Sequence, residues 1–254
     1  MKTANRLLTW VALALFLFFP TATPAQWNKK PYTEWSEKDV QKLLEDSPWS
    51  QNQIFTDTSK AASTTNSRGS TQTAIADVIN VNFHIRFFTA KPVRQAISRF
   101  MQLQQKGEMS DQMAARLKSL AAADFPDYII VTVTCDGDRA SNMLQDARAL
   151  LQKLVTANIK NNTYLLTKAG QRVFLQEYQP PRNDGLGARF VFPRLVDGKP
   201  FVTPDGGEIL FHAELGGGSQ LNSTLSNSDV ARNGFTLNMR YKIKDMMFDG
   251  KLEY

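Results

Sequence analysis

Ile79, Val81, Phe83, Ile85 and Phe87 alternate with Asn80, Asn82, His84 and Arg86. Successive side chains of a strand point to opposite faces, so this segment demands a sheet with one buried face. The same demand recurs far away in the chain. There Phe235, Leu237, Met239, Tyr241 and Ile243 alternate with Thr236, Asn238, Arg240, Lys242 and Lys244. Two half-buried strands of this length need partner strands and something to cover their apolar faces. That requirement sets the frame for everything between them.

Helical periodicity fills the first half. Pro92 opens a helix whose buried stripe is Val93, Ala96, Ile97, Phe100 and Met101. After Gly107, Ser110 caps a second helix that buries Met113, Leu117, Leu120 and Ala121. Tyr128 to Cys135 reads as a strand whose start is covered on both faces, and a third helix over about 139–157 aligns Met143, Ala147, Leu150, Leu151 and Leu154. From Asn161 onward the pattern changes to strands and turns. Tyr164–Thr167 and Val173–Tyr178 flank Lys168-Ala169-Gly170-Gln171, a hairpin with Gly170 at positive φ. Further strands are expected at 188–192, 208–215 and 235–244, with a long Gly/Ser/Asn loop over 216–229. The expected class is α+β, with three helices clustered in the first half and a mostly antiparallel sheet completed by the C-terminal half.

The chain begins with an export leader. Lys2 and Arg6 form a positive start, Leu7 to Phe19 are apolar except for Thr9, and Thr23-Pro24-Ala25 offers small residues for cleavage. Thirteen helical residues span only about 20 Å, short of a ~30 Å hydrocarbon core. Residues 1–25 therefore read as a signal peptide, and the mature chain is expected to start near Gln26. Lys2 and Arg6 leave with it, so 30 basic residues become 28 against 24 acidic ones. That excess is too small and scattered to favour nucleic acid, and no later apolar run predicts an integral span. Cys135 is the only cysteine, so no intrachain disulfide exists and stability must come from the core.

Residues 26–49 form a Trp-rich helical segment holding Trp27, Trp35 and Trp49. Ser36 reads as an N-cap with Asp39 as its reciprocal partner, while Trp35 and Val40 occupy hydrophobic-staple positions. A helix this short must dock on something, either its own domain or a protein or surface glycan partner met by the tryptophans. Residues 50–73 read as a Ser/Thr-rich linker or loop, since 10 of the 18 residues from 56 to 73 are Ser or Thr. The α+β domain is expected over 74–254.

Lys30-Pro31-Tyr32-Thr33-Glu34-Trp35-Ser36-Glu37-Lys38-Asp39, closing at Asp46-Ser47-Pro48-Trp49, resembles the mature start of a group of exported bacterial proteins of unknown function. Lys242-Ile243-Lys244-Asp245-Met246-Met247 and Asp249-Gly250-Lys251-Leu252-Glu253-Tyr254 resemble the end of the same group. The resemblance implies a bacterial periplasmic or extracellular setting and attaches no activity to any residue.

Candidate chemistry is sparse. Cys135-Asp136-Gly137-Asp138 sits at a strand end before a helix, where Asp136 and Asp138 could hold a hard cation; equally, Asp138 is an N-cap and Asp136 a solvated loop residue. His84, His212 and Glu214 match a two-His, one-carboxylate ligand set if their strands are neighbours. Cys135 lacks a sequence-adjacent base and reads as a small buried thiol. Gly216-Gly217-Gly218 lacks the residues of a phosphate loop. Arg86, Lys91, Arg94, Arg99 and Lys106 read as a solvated basic face. No catalytic residue, metal ligand or cofactor site is assigned. The favoured expectation is a non-enzymatic binding or scaffold module of the envelope. The alternative is an exported hydrolase or metalloenzyme using Asp136 and Asp138, or His84, His212 and Glu214.

Overall fold

A computed structural model describes residues 29–57, 64–65, 71–72, 79–139, 141–216 and 234–254. The segment expected to be a leader, Trp27, most of the 58–78 tract and residues 217–233 of the expected long loop lie outside the described residues. The class is α+β, as the periodicities demand, with two larger antiparallel sheets and three two-stranded ribbons among the described residues. Five α-helices occur among the described residues: α1 (Glu37–Glu45), α2 (Lys91–Gln104), α3 (Asp111–Ala122), α4 (Asn142–Lys153) and the single turn α5 (Thr156–Ile159).

The first sheet has the order β1 (Ser50–Asp57), β2 (Ile79–Phe87), β3 (Tyr128–Gly137), β7 (Ala188–Pro193), β6 (Glu177–Gln179). The second has the order β9 (Phe235–Lys242), β8 (Glu208–Leu215), β4 (Thr163–Thr167), β5 (Arg172–Phe174). Their inner faces pack together through aromatic rings. Phe83 meets Phe235 at 4.9 Å, Phe87 meets Tyr241 at 4.8 Å, and Phe190 meets Phe211 at 5.5 Å. The Tyr241 hydroxyl donates to the Ile85 carbonyl at 3.0 Å, which satisfies a polar atom the core would otherwise penalise. Leu144, Ala147, Leu150 and Leu151 of α4 join the same cluster.

The stretch 50–57, expected as part of a linker, is an edge strand paired residue by residue with β2. Composition misled because its inward positions carry Gln51 and Gln53, which turn their amides onto the neighbouring sheet. Gln53 donates to the Thr236 carbonyl at 2.9 Å and accepts from the Asn238 amide at 2.8 Å, acting as a surrogate peptide for the β9 edge. Gln51 adds a bond to the Arg240 carbonyl at 2.8 Å. Edge strands otherwise leave such groups unpaired.

The Trp-rich segment docks on its own domain. Ser36 and Asp39 form the expected capping box. Trp35 and Trp49 are 1% and 2% exposed, so neither ring offers a surface to a partner, and that expectation is corrected. Trp49 Nε1 donates to the Glu253 carbonyl at 2.9 Å, and the Glu253 carboxylate accepts from the Lys91 amide, closing the start of α2 from the far end of the sequence.

Two other boundaries move. The hairpin at Lys168–Gln171 forms with Gly170 at φ +87°, but Val173–Tyr178 is not one strand. The Leu175 amide bonds the Thr163 carbonyl of the second sheet, and the Gln176 amide bonds the Val191 carbonyl of the first. The chain changes sheets between those two residues. The third helix begins later than expected, capped by Ser141 rather than Asp138.

Candidate functional site

The outer face of the first sheet carries Asn52 on β1, His84 and Arg86 on β2, and Thr132, Thr134 and Asp136 on β3, placed side by side by register. Two different environments share this face. At one end His84 is 8% exposed, with Nδ1 2.7 Å from the Asn52 amide oxygen and Nε2 2.8 Å from the Asp136 carboxylate. Asn82 donates to the other Asp136 oxygen at 3.2 Å. Both ring nitrogens are spent, and the position a nucleophile would take beside the imidazole is held by an amide.

Asp136 is therefore a strand residue held by His84 and Asn82, not a loop ligand. Gly137 is required because a Cβ there would stand 2.3 Å from the Asn80 carbonyl oxygen. The Asp138 carbonyl accepts from the Ser141 amide. His212 lies on the outer face of the second sheet, stacked on Tyr164 at 4.6 Å, with Nδ1 2.7 Å from Asn238 Oδ1 and Nε2 3.6 Å from Glu214. The sheets meet by their inner faces, so the aromatic core separates His84 from His212 and Glu214. Among the described residues no cluster of three His, Cys, Asp or Glu side chains could hold a metal ion.

Cys135 is half-buried on the inner face, and burial pushes its thiol up to about 11 despite the nearby Arg148 guanidinium. A thiol in that state is a poor nucleophile at neutral pH. It borders a cleft of about 340 Å³ with the exposed Arg148 and Arg182 at its rim.

At the other end of the outer face, α1 and α2 stand over the sheet and leave a cleft of about 380 Å³. Arg86, Thr132 and Thr134 form its floor. Leu44, Ile97, Phe100, Met101 and Leu186 make apolar walls, and Glu37, Gln41 and Glu45 run along the α1 rim. Residues four apart on a helix share a face, which lines up this acidic edge.

Arg86 was expected on a solvated face and instead is largely enclosed. Burial lowers its pKa to about 10, opposed by the negative charge of Glu45. Its Nε donates to the Leu44 carbonyl at 2.6 Å, closing the C-terminal end of α1, and Nη1 donates to Thr134 Oγ1 at 3.0 Å. Five guanidinium donors exist, and these bonds use two. Among the described residues, no carboxylate lies within 4 Å of Arg86 and no protein acceptor meets Nη2, which is not a buried atom and keeps contact with solvent. An enclosed cation with half its fork unspent leaves donors free for a group entering from the cleft.

Three more residues of the basic face make structural contacts, while Lys106 is exposed as expected. Arg94, 4% exposed, donates to the Thr89 and Ala123 carbonyls, Arg99 donates to the Trp35 carbonyl, and Lys91 pairs with Asp249. Phe100, expected in the buried stripe, is 42% exposed and stands at the mouth of the cleft. Sequence reasoning missed this site. The available signal was the lone cation Arg86 ending a run of small polar outward residues on β2.

No family model matches the chain, and neither a curated protein nor a solved structure matches it.

Proposed function

We propose that this chain is an exported, non-enzymatic binding module of the bacterial envelope, and that the cleft between α1, α2 and the first sheet is its ligand site. The observation that carries the reading is Arg86, enclosed beside apolar walls with Nη2 meeting no acceptor among the described residues. A concave, largely apolar pocket with a few convergent polar groups is the ordinary form of a small-molecule site. The non-enzymatic part is supported by His84, whose two ring nitrogens face Asn52 and Asp136, and by the raised Cys135 thiol. Export is supported by the leader sequence, and the bacterial setting by the resemblance of the two terminal segments. Among the described residues no helix is long and apolar enough to cross a membrane.

The test is a thermal-shift screen against amino acids and peptides, sugars, fatty acids, nucleotides and inorganic anions, on the wild type and on Leu186→Trp, which fills the cleft. At least one class is expected to raise Tm of the wild type alone, since a ligand that binds only the folded state stabilises it. Silence from every class at millimolar concentration overturns the binding reading. Cell fractionation with N-terminal sequencing tests export: an envelope fraction starting near Gln26 is expected, and a full-length cytoplasmic chain would refute it.

A further inference from the structure

The charges of the cleft are ordered, and their order restricts what can enter. One cation, Arg86, sits at the floor, and two carboxylates, Glu37 and Glu45, sit on the rim. Four residues of helix rise about 6 Å, so the rim acids span roughly 12 Å along α1. Arg86 also faces the C-terminal end of α1, whose carbonyls carry partial negative charge. A simple anion would meet the free part of the guanidinium but would also meet Glu45 and the helix end. Anionic lipids and phosphate are therefore poor fits. A purely apolar ligand would displace water from Nη2 and leave it without an acceptor. The matching ligand presents an acceptor oxygen inward, a cation outward, and an apolar group between.

We infer that the cleft takes the ammonium–Cα–carbonyl unit of an apolar amino-acid residue, as a free amino acid or as the first residue of a short peptide. This inference rests on the binding reading above. The carbonyl or carboxylate oxygen accepts from Arg86 Nη2 at the floor. The α-ammonium faces Glu45, with Glu37 farther along the rim. The side chain lies against Ile97, Phe100 and Met101. The volume, about 380 Å³, is near the low end of the ~300–1,000 Å³ range of ligand pockets, which suits one or two residues and excludes a long chain. Gln41 holds Glu45 by its side-chain amide at 3.3 Å, which fixes that carboxylate at the rim. Phe100 has no role in the core that would explain an aromatic ring 42% exposed; at the cleft mouth it supplies apolar cover for the ligand side chain.

Calorimetry with four probes tests this without touching the fold: L-leucine, leucyl-glycine amide, N-acetyl-leucine amide and isovalerate. Leucine or leucyl-glycine amide is expected to bind, and the tighter of the two tells a free amino acid from a peptide N-terminus. Blocking the ammonium in N-acetyl-leucine amide is expected to weaken binding at least about tenfold, and isovalerate, which keeps only the anion, by at least as much. Glu45→Gln is expected to weaken the winning probe about fivefold while leaving its circular dichroism and Tm unchanged, and Phe100→Ala is expected to weaken it similarly. Equal binding of the acetylated probe, or tighter binding of isovalerate, overturns the inference. So does a screen in which another chemical class binds in the cleft while all four probes fail; that result would leave the binding reading standing. Failure of every class removes both.

Discussion

The outer faces of the two sheets each present an arginine beside apolar or aromatic side chains, yet the two arginines are in different situations. On the four-stranded sheet, Arg172 lies 4.1 Å over the Tyr164 ring and 5.7 Å from Phe174, and Tyr164 in turn stacks on His212 at 4.6 Å. In that ladder Arg172 and Phe174 are exposed, Tyr164 and His212 are half-buried, and the parts satisfy one another. Water completes the shell of Arg172 at no cost. On the five-stranded sheet, α1 and α2 cover most of Arg86, and its unspent donors meet only the water of the cleft, which an entering acceptor would replace. Exposed aromatics and cations catch the eye, but a half-covered cation on the floor of a cleft is the better place for a ligand.

The largest expected break in this comparison comes from removing the cover. Trp49→Ala deletes a ring that is 2% exposed and a bond to the Glu253 carbonyl, and is expected to cost about 3–5 kcal/mol in urea unfolding and to abolish cleft binding. Arg86→Met comes next. It leaves the Leu44 carbonyl and Thr134 hydroxyl without their donor and is expected to lower stability by about 1–3 kcal/mol. Its counterpart Arg172→Ala is expected to stay within about 1 kcal/mol of wild type and to leave ligand binding intact. Gln53→Leu removes both bonds to the β9 edge, and a loss of about 1–2 kcal/mol is expected in the same assay. Tyr164→Ala, at the centre of the ladder, is expected to cost about 1 kcal/mol or less, with no change in the affinity of any cleft ligand.

At neutral pH no effect is expected from the inner face, where the dependence on pH appears only in alkaline solution. Cys135 is raised from an ordinary 9.0 to about 11. Between those values the unfolded chain has released the thiol proton and the folded chain still holds it. The stabilisation is therefore complete below about pH 9 and is lost as pH rises through 11. Thiol labelling of the folded protein is expected to stay slow at pH 7–8 and to accelerate toward pH 11. Rapid labelling at pH 7 would mean that the thiol is not buried as described.

Local signals carried well where one residue's chemistry decided the outcome. Ser36 and Asp39 form their capping box, Gly170 takes positive φ, and the alternation at 79–87 and 235–242 gives half-buried strands. They failed where a side chain acted across the fold. Gln51 and Gln53 look like linker residues until a second sheet lies beside them. Trp35 and Trp49 look like partner anchors until a core closes over them. Asp136 looks like a loop ligand until β3 extends through Gly137 and sets it against His84.

The cleft shows the same division. Periodicity puts Arg86 on the polar face of its strand and gives Phe100 the wrong side of its helix. Nothing local says that β2 lies beside β3, or that the end of α1 will rest on Arg86 and cover most of it. The amino-acid sequence by itself determined the class, the principal strands and helices and the absence of an intrachain disulfide, because each follows from the spacing or identity of residues. Only the tertiary structure decided that one arginine would be enclosed with its fork half used. Desolvation depends on what covers a residue, and what covers Arg86 comes from segments some forty residues before it and a helix that follows it.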